Sequence, residues 1–278
     1  MKRPIVLFAL LLLAAMTAAG QSSPDPRYER VLVPVFFFGG GAHGAQWWTD
    51  LNVLSIDGDI ELAVPLLQGN PTCPALCGCD AERTADEWAA ESVCPTFEDD
   101  SGLMLYVPRG TSPDTLQIAA RGRDMSRDAD RYGTQIPVVW ERDLLGDRMI
   151  LLDIPTDPRY RTGLRLYDAY QWQGHYTLRF FDMARLRQGD DTPLLVRGVE
   201  LDHDVDPRDA PNLFMRPAFA FIGDIVATWP ELAAASSVAI EIIGSHPIVS
   251  PPAPDRRFYA LASITNNNTQ ELTIVAPR

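Results

Sequence analysis

The sequence predicts an all-β protein: two tandem antiparallel β-sandwich domains, Ig-like or jelly-roll-like, with one or two short inserted helices. Three observations predict it. Apolar and polar residues alternate at period two along most of the chain, the pattern of strands with one buried face. Turn residues interrupt these runs often, as at Asp57-Gly58, Pro108-Arg109-Gly110, Gly189-Asp190-Asp191 and Pro251-Pro252. Helix signals are few and short. Many short strands broken by Gly and Pro read as a sandwich or barrel.

The chain opens on Lys2-Arg3, an unbroken apolar run from Ile5 to Ala15, and the small residues Ala18-Ala19-Gly20 ahead of Gln21. That is the three-part pattern of a secretory signal peptide, cleaved after Gly20. The apolar run is shorter than the ~20 residues of a spanning helix, which argues against a membrane anchor. No Cys stands at the cleavage point to carry a lipid. No later run is long enough to span, so the mature chain is expected to be soluble, and secreted or periplasmic.

Strands follow in order. Val31 to Phe38 is the first run; Ile60, Leu62 and Val64 alternate with Glu61 and Ala63; Leu103 to Val107 and Leu116 to Ala120 come next. Met149 to Ile154, the alternation Tyr176-Leu178-Phe180, Val238 to Ile243, Tyr259 to Ile264 and the pair Leu272 and Ile274 complete the set. Two capping boxes predict short helices between strands. One is Thr84 with Glu87 before Trp88-Ala89-Ala90; the other is Thr228 with Glu231, with Pro230 in its first turn, before Leu232-Ala233-Ala234.

A duplication is visible. Val33-Pro34-Val35, Trp48 to Val53, the strand at Ile60, Leu103 to Val107 and Leu116 to Ala120 are matched by Ile136-Pro137-Val138, Arg161 to Leu166, the strand at Tyr176, Val238 to Ile243 and Phe258 to Ile264. An Arg/Asp-rich stretch from Asp124 to Gly133 separates the copies. The division is residues 1–20 as signal peptide, 21–125 as the first sandwich with a Cys-rich insert over 71–95, and 126–278 as the second.

The elements Val33-Pro34-Val35, Gln46 to Leu51, Tyr132 to Pro137, Tyr160 to Leu164 and Tyr259 to Asn266, in that order, resemble a group of exported β-sandwich repeat proteins of acidobacteria-like bacteria with no known activity. The resemblance implies the fold and export, and no catalytic residue. Those relatives usually carry Asn at the positions of Gly163 and Asp168, and the Cys-rich insert near residue 80 is unlike their usual pattern.

The formal charge is −13 and hydrophobic residues make up 46% of the chain. That content suits a folded core. The acidity opposes binding to nucleic acid or anionic lipid. After Lys2 every strong cation is Arg; codon bias in a GC-rich genome accounts for that more simply than selection for bidentate contacts.

Cys73, Cys77, Cys79 and Cys94 lie in one short stretch. In an exported chain an even cluster reads as two disulfides. Cys77 with Cys79 would close a strained ring, so Cys73 pairs with Cys77 or Cys79 and Cys94 takes the other. Four thiolates on zinc are the rival reading.

Other motifs carry less. Gly39-x-Gly41-x-x-Gly44 spells a dinucleotide fingerprint, but the chemistry needs a helix N-terminus straight after it, and Gln46 to Ile56 reads as a strand. Asp202, Asp204 and Asp206 are candidate calcium ligands in an acidic loop. The EF-hand spacing fails there, because Pro207 and Leu213 take the places of its Gly and Glu. His43, His175, His203 and His246 are far apart, and neither HExxH nor G-x-S-x-G occurs. Gly244-Ser245-His246 reads as a turn. Trp47, Trp48 and Trp172 are candidate stacking residues for a sugar; with Trp140 and Trp229 they serve equally as core. Asn267-Asn268-Thr269 is a glycosylation sequon by letter.

The function these readings predict is an exported, non-enzymatic structural or binding protein without a cofactor, calcium apart. Its partner would be an extracellular protein or a polysaccharide. A carbohydrate-binding module is the first alternative. A secreted hydrolase with dispersed carboxylates, such as a glycosidase, is the second.

Overall fold

The computed structural model describes residues 28–36, 38–41, 44–56, 61–63, 82–84, 102–127, 132–144, 146–168, 174–201, 217–245 and 258–277. Among the described residues the chain is mostly β, in four antiparallel sheets that form no barrel, as an all-β sandwich-like fold does. The first half supplies β1 (Tyr28–Val33), β2 (Phe38–Gly40), β3 (Gln46–Ser55), β4 (Glu61–Ala63), β5 (Glu82–Thr84), β6 (Leu103–Pro108), β7 (Leu116–Asp124), β8 (Thr134–Ile136) and β9 (Val139–Trp140). The second supplies β10 (Arg148–Pro155), β11 (Tyr160–Asp168), β12 (His175–Asp182), α1 (Met183–Leu186), β13 (Leu195–Glu200), β14 (Ala218–Ile222), α2 (Ile225–Thr228), β15 (Ser237–Ser245), β16 (Phe258–Asn266) and β17 (Leu272–Val275).

Sheet A runs β5-β4-β6-β1-β9 and sheet B runs β2-β3-β7-β8. Sheet C runs β14-β11-β16-β17 and sheet D runs β10-β15-β12-β13. Laying β1, β3, β4, β5, β6, β7 and β8 on β10, β11, β12, β13, β15, β16 and β17 makes the two halves coincide in strand order. Only edge strands break the match. β2 precedes β3 in the chain, β14 follows β13, and β9 has no counterpart.

Four of the five segments paired as a duplication lie on equivalent strands by this topology. The fifth needs a correction. The counterpart of Val33-Pro34 at the end of β1 is Ile154-Pro155 at the end of β10; Ile136-Pro137-Val138 instead leads from β8 into β9. Strand pairing also carries sheets A and B through Trp140, past the break placed after residue 125. Ile136 sits opposite Ala120, and Trp140 opposite Val31.

Alternation along each strand sorts its side chains between two faces. Val31, Val33, Leu103, Leu105, Val107 and Trp140 leave one face of sheet A and pack with Val53, Leu116, Ala120 and Ile136 of sheet B. Leu32, Met104, Tyr106 and Val139 leave the other face and join the core of sheets C and D, which includes Leu164, Leu166, Leu178, Phe180, Ile240 and Ile242. Sheet C is also buried on both faces. Tyr167, Tyr259 and Leu261 point away from sheet D and are 1%, 5% and 0% exposed. Sheets B and D form the outside, and their outward faces mix charged residues such as Arg121, Arg148 and Arg179 with exposed apolar ones such as Leu54, Ile150 and Val196.

Two bonds tie the halves edge to edge. The Thr134 hydroxyl donates to the Leu272 carbonyl at 2.9 Å, and Arg127 Nη1 donates to the Thr269 carbonyl at 2.6 Å. Tyr167 Oη donates to the Pro34 carbonyl. Gly102, at φ +78, lies beside this contact; a Cβ there would stand 2.9 Å from the Val33 carbonyl oxygen and 3.2 Å from the Tyr167 ring. Only glycine suits that backbone and that space.

The capping box expected at Thr228 does not form. Asp224 is the cap, accepting the N–H groups of Val226 and Ala227 at the start of α2. The Thr228 hydroxyl donates back to the Asp224 carbonyl, closing that helix. Pro230–Ala234 follows as a separate 3-10 turn with no side-chain cap, because Trp229 between them has left helical geometry. Glu231 pairs with Arg197 at 2.7 Å instead of reaching back to Thr228. At the other expected box, Thr84 ends β5, and Glu87 to Ala90 lie outside the described residues. Among the described residues no helix is long and apolar enough to cross a membrane.

Candidate functional site

The outward face of sheet B is where a predicted site residue meets exposed polar groups. In β3 the neighbours Trp47 and Trp48 leave the strand on opposite sides. Trp47 shares the inward face with Thr49 and Val53, and its indole lies over Gly41. Trp48 lies on the outward face, half-buried, opposite Arg123 of β7. The two adjacent indoles therefore do not form one stacking platform.

Beside Trp48, Arg123 grips Asp50 with two nitrogens, Nε to Oδ2 at 2.5 Å and Nη2 to Oδ1 at 2.8 Å. The next row runs from Asp50 to Arg121 and on to Gln135 of β8. Asn52 stands opposite Ala119, and Leu54 opposite Gln117, all exposed. The small Ala119 keeps the middle of the face low. A half-exposed indole, the Arg123–Asp50 ion pair and exposed amides thus share one face of the sheet. Such a surface can stack against a sugar ring and hydrogen-bond its hydroxyls.

The other predicted residues scatter. Trp140 is core, 7% exposed, with the Arg142 guanidinium 4.5 Å above its ring. Trp229 packs on Phe180, centroids 5.2 Å apart. Trp172, the four cysteines, Asp202, Asp204, Asp206, His43, His203 and His246 lie outside the described residues. His175 begins β12 on the outward face of sheet D, its Nδ1 3.3 Å from Glu200 Oε1. Gly39 and Gly40 belong to β2, which pairs directly with β3, and Gly44 turns the hairpin at φ +78. The element that follows these glycines is the strand β3. The sequon Asn267 is engaged: its Nδ2 donates to the Pro158 carbonyl at 2.9 Å and its N–H to Arg159 at 2.8 Å. Among the described residues no three His, Cys, Asp or Glu side chains gather as metal ligands would.

Three charged clusters escaped the sequence reading. Glu141 accepts the Arg30 N–H at 3.0 Å and its guanidinium at 2.8 Å. Burial pushes the Glu141 carboxyl up, but the hydrogen bonds and charge of Arg30 outweigh it and hold the carboxyl below its ordinary value. Glu241, 3% exposed, is clasped by Arg148 and by Arg179, the latter at 2.9 Å. Asp168, fully buried, accepts from Tyr176 Oη at 3.0 Å. Partners such as Arg30 and Glu141 stand 111 positions apart. Only strand register, which local pattern does not encode, brings them together.

Comparison with known proteins finds no matching family model, no matching curated protein and no matching solved structure.

Proposed function

We propose that this is an exported, non-enzymatic binding protein of the periplasm or cell exterior, held by two disulfides among Cys73, Cys77, Cys79 and Cys94. The observation that carries the reading is how its charged groups are used. Arg30 with Glu141, Arg123 with Asp50, and Arg148 and Arg179 with Glu241 are committed to each other across strands. Groups used this way brace sheets. The signal-type leader supports export. Expression with the leader in a Gram-negative host should deliver protein outside the cytoplasm with Gln21 as its first residue. Its intact mass should be lower than the reduced mass by the four hydrogens of two disulfides. Cytoplasmic retention with an intact leader would refute export, and free thiols holding zinc would refute the disulfides.

Trp48 favours a second, more specific reading: the outward face of sheet B binds a polysaccharide. Beside Trp48 lies the Asp50–Arg123 pair, and farther along the same face stand the exposed Asn52 and Gln117. Stacking of a planar ring on an aromatic side chain contributes about 1–3 kcal/mol for a nucleobase, and that sets the scale for Trp48. Titration against a panel of neutral and acidic polysaccharides should quench Trp fluorescence, and Trp48→Ala should weaken the tightest binding about tenfold or more. Flat titrations across the panel, or unchanged affinity in Trp48→Ala, would remove this reading.

A further inference from the structure

We propose that the outward face of sheet D pairs with the same face of a second copy, about a two-fold axis lying along the strands. The register across sheet D carries the argument. Ile150 of β10 stands opposite Glu241 of β15, Glu241 opposite Arg179 of β12, and Arg179 opposite Val196 of β13. One row across all four strands therefore reads apolar, acid, base, apolar. A two-fold axis between β15 and β12 lays that row across itself, so that Ile150 of one copy meets Val196 of the other at both ends, while Glu241, 3% exposed, stays clasped beneath Arg148 and Arg179 of its own copy.

The neighbouring row agrees. Arg148, Ile243, Thr177 and Gly198 stand in register. The same axis lays the long Arg148 side chain over Gly198, where a Cβ would meet open space. It also sets Ile243 on Thr177.

Exposure and charge point the same way. Ile150 and Val196 are 39% and 48% exposed, among the most exposed large apolar side chains described. The chain carries −13, which drives copies apart in general. On this face Arg148 and Arg179 offset Glu241, so that repulsion is locally relieved. The fold also uses the equivalent surface once already. Sheet A matches sheet D in strand order, and its outward residues Leu32, Met104 and Tyr106 are buried in the core of the other half.

Four strands at ~4.8 Å spacing and ~3.3 Å per residue present roughly 500 Å². Stable interfaces bury about 800 Å² per partner. The pairing is therefore a concentration-dependent dimer, not a permanent one.

Sedimentation velocity of the mature protein from about 1 µM to 1 mM tests it. A monomer–dimer equilibrium is expected. Two variants place a new charge beside an opposite one on the adjoining strand, so each keeps the sheet: Ile150→Arg next to Glu241, and Val196→Glu next to Arg179. Each alone should weaken dimerisation at least about tenfold, and an equimolar mixture should restore it as a heterodimer. Circular dichroism confirms that both fold. A monomer throughout the range overturns the proposal. So does a dimer indifferent to both variants. Open-ended growth abolished by Leu54→Asp on sheet B overturns it too, because that result means head-to-tail contact between sheets D and B. None of these outcomes depends on polysaccharide binding.

Discussion

Glu141 shows what a single side chain contributes here. It sits beside β1, 13% exposed at its side chain, and satisfies both the backbone and the guanidinium of Arg30. Its carboxyl titrates below its ordinary 4.5 in the folded state. The stability it supplies is therefore present above 4.5 and lost as pH falls through the lower, folded value. Glu141→Gln should cost about 1–3 kcal/mol at pH 7, by leaving Arg30 without its charged partner. In urea melts the gap between variant and parent should close as pH drops below 4.5. A gap that stays constant from pH 7 to pH 3 would assign the loss to packing. Gly163 shows the converse, a residue defined by space. A Cβ there would meet Ser263 Oγ at 2.7 Å and the Phe221 ring at 3.1 Å. Phe221 stacks on Arg165, 4.0 Å from the guanidinium, in the room a side chain at position 163 would take.

At the scale of elements, alternation made the outer strands legible and failed where burial is two-sided. β12 and β10 alternate, so Tyr176, Leu178 and Phe180 were readable as an inward face. β11 is buried at every position from Thr162 to Asp168, which erases the period. The short edge strands β8, β9, β13 and β14 were not identified from the sequence. They are held by one neighbour, and their pattern is too short to separate from loop. β10 carries a register shift between Leu151 and Ile154, with Asp153 at φ 57 and bonded to the Ser237 hydroxyl at 2.9 Å. A bulge of this kind on an edge strand also blunts further strand addition. That directs any self-association of sheet D to its face.

For the whole molecule, the decisive feature is that sheet A serves two cores. Its inward side chains meet sheet B, and Leu32, Met104, Tyr106 and Val139 meet the core of the second half. Unfolding either half exposes apolar surface of the other. Scanning calorimetry should show one transition, with equal calorimetric and van't Hoff enthalpies. Met104→Ala should lower that transition as a unit, at a cost of about 2–5 kcal/mol. Two resolved transitions, with only the first moved by Met104→Ala, would mean that the halves fold independently.

Composition, alternation and turn residues were enough for an all-β chain of short strands and a doubled arrangement, because each is a local property with a fixed period. The strand order of the two halves matches apart from edge strands, and by that order Ile154-Pro155, not Ile136-Pro137, takes the place equivalent to Val33-Pro34. Tertiary structure alone decided that Trp47 turns inward and Trp48 outward, that Glu241 lies between two arginines, and that one sheet is shared by two cores. Each of these depends on register between strands far apart in the chain. A one-residue slip in register moves every side chain to the opposite face, and nothing in the local pattern records which register the packing selects.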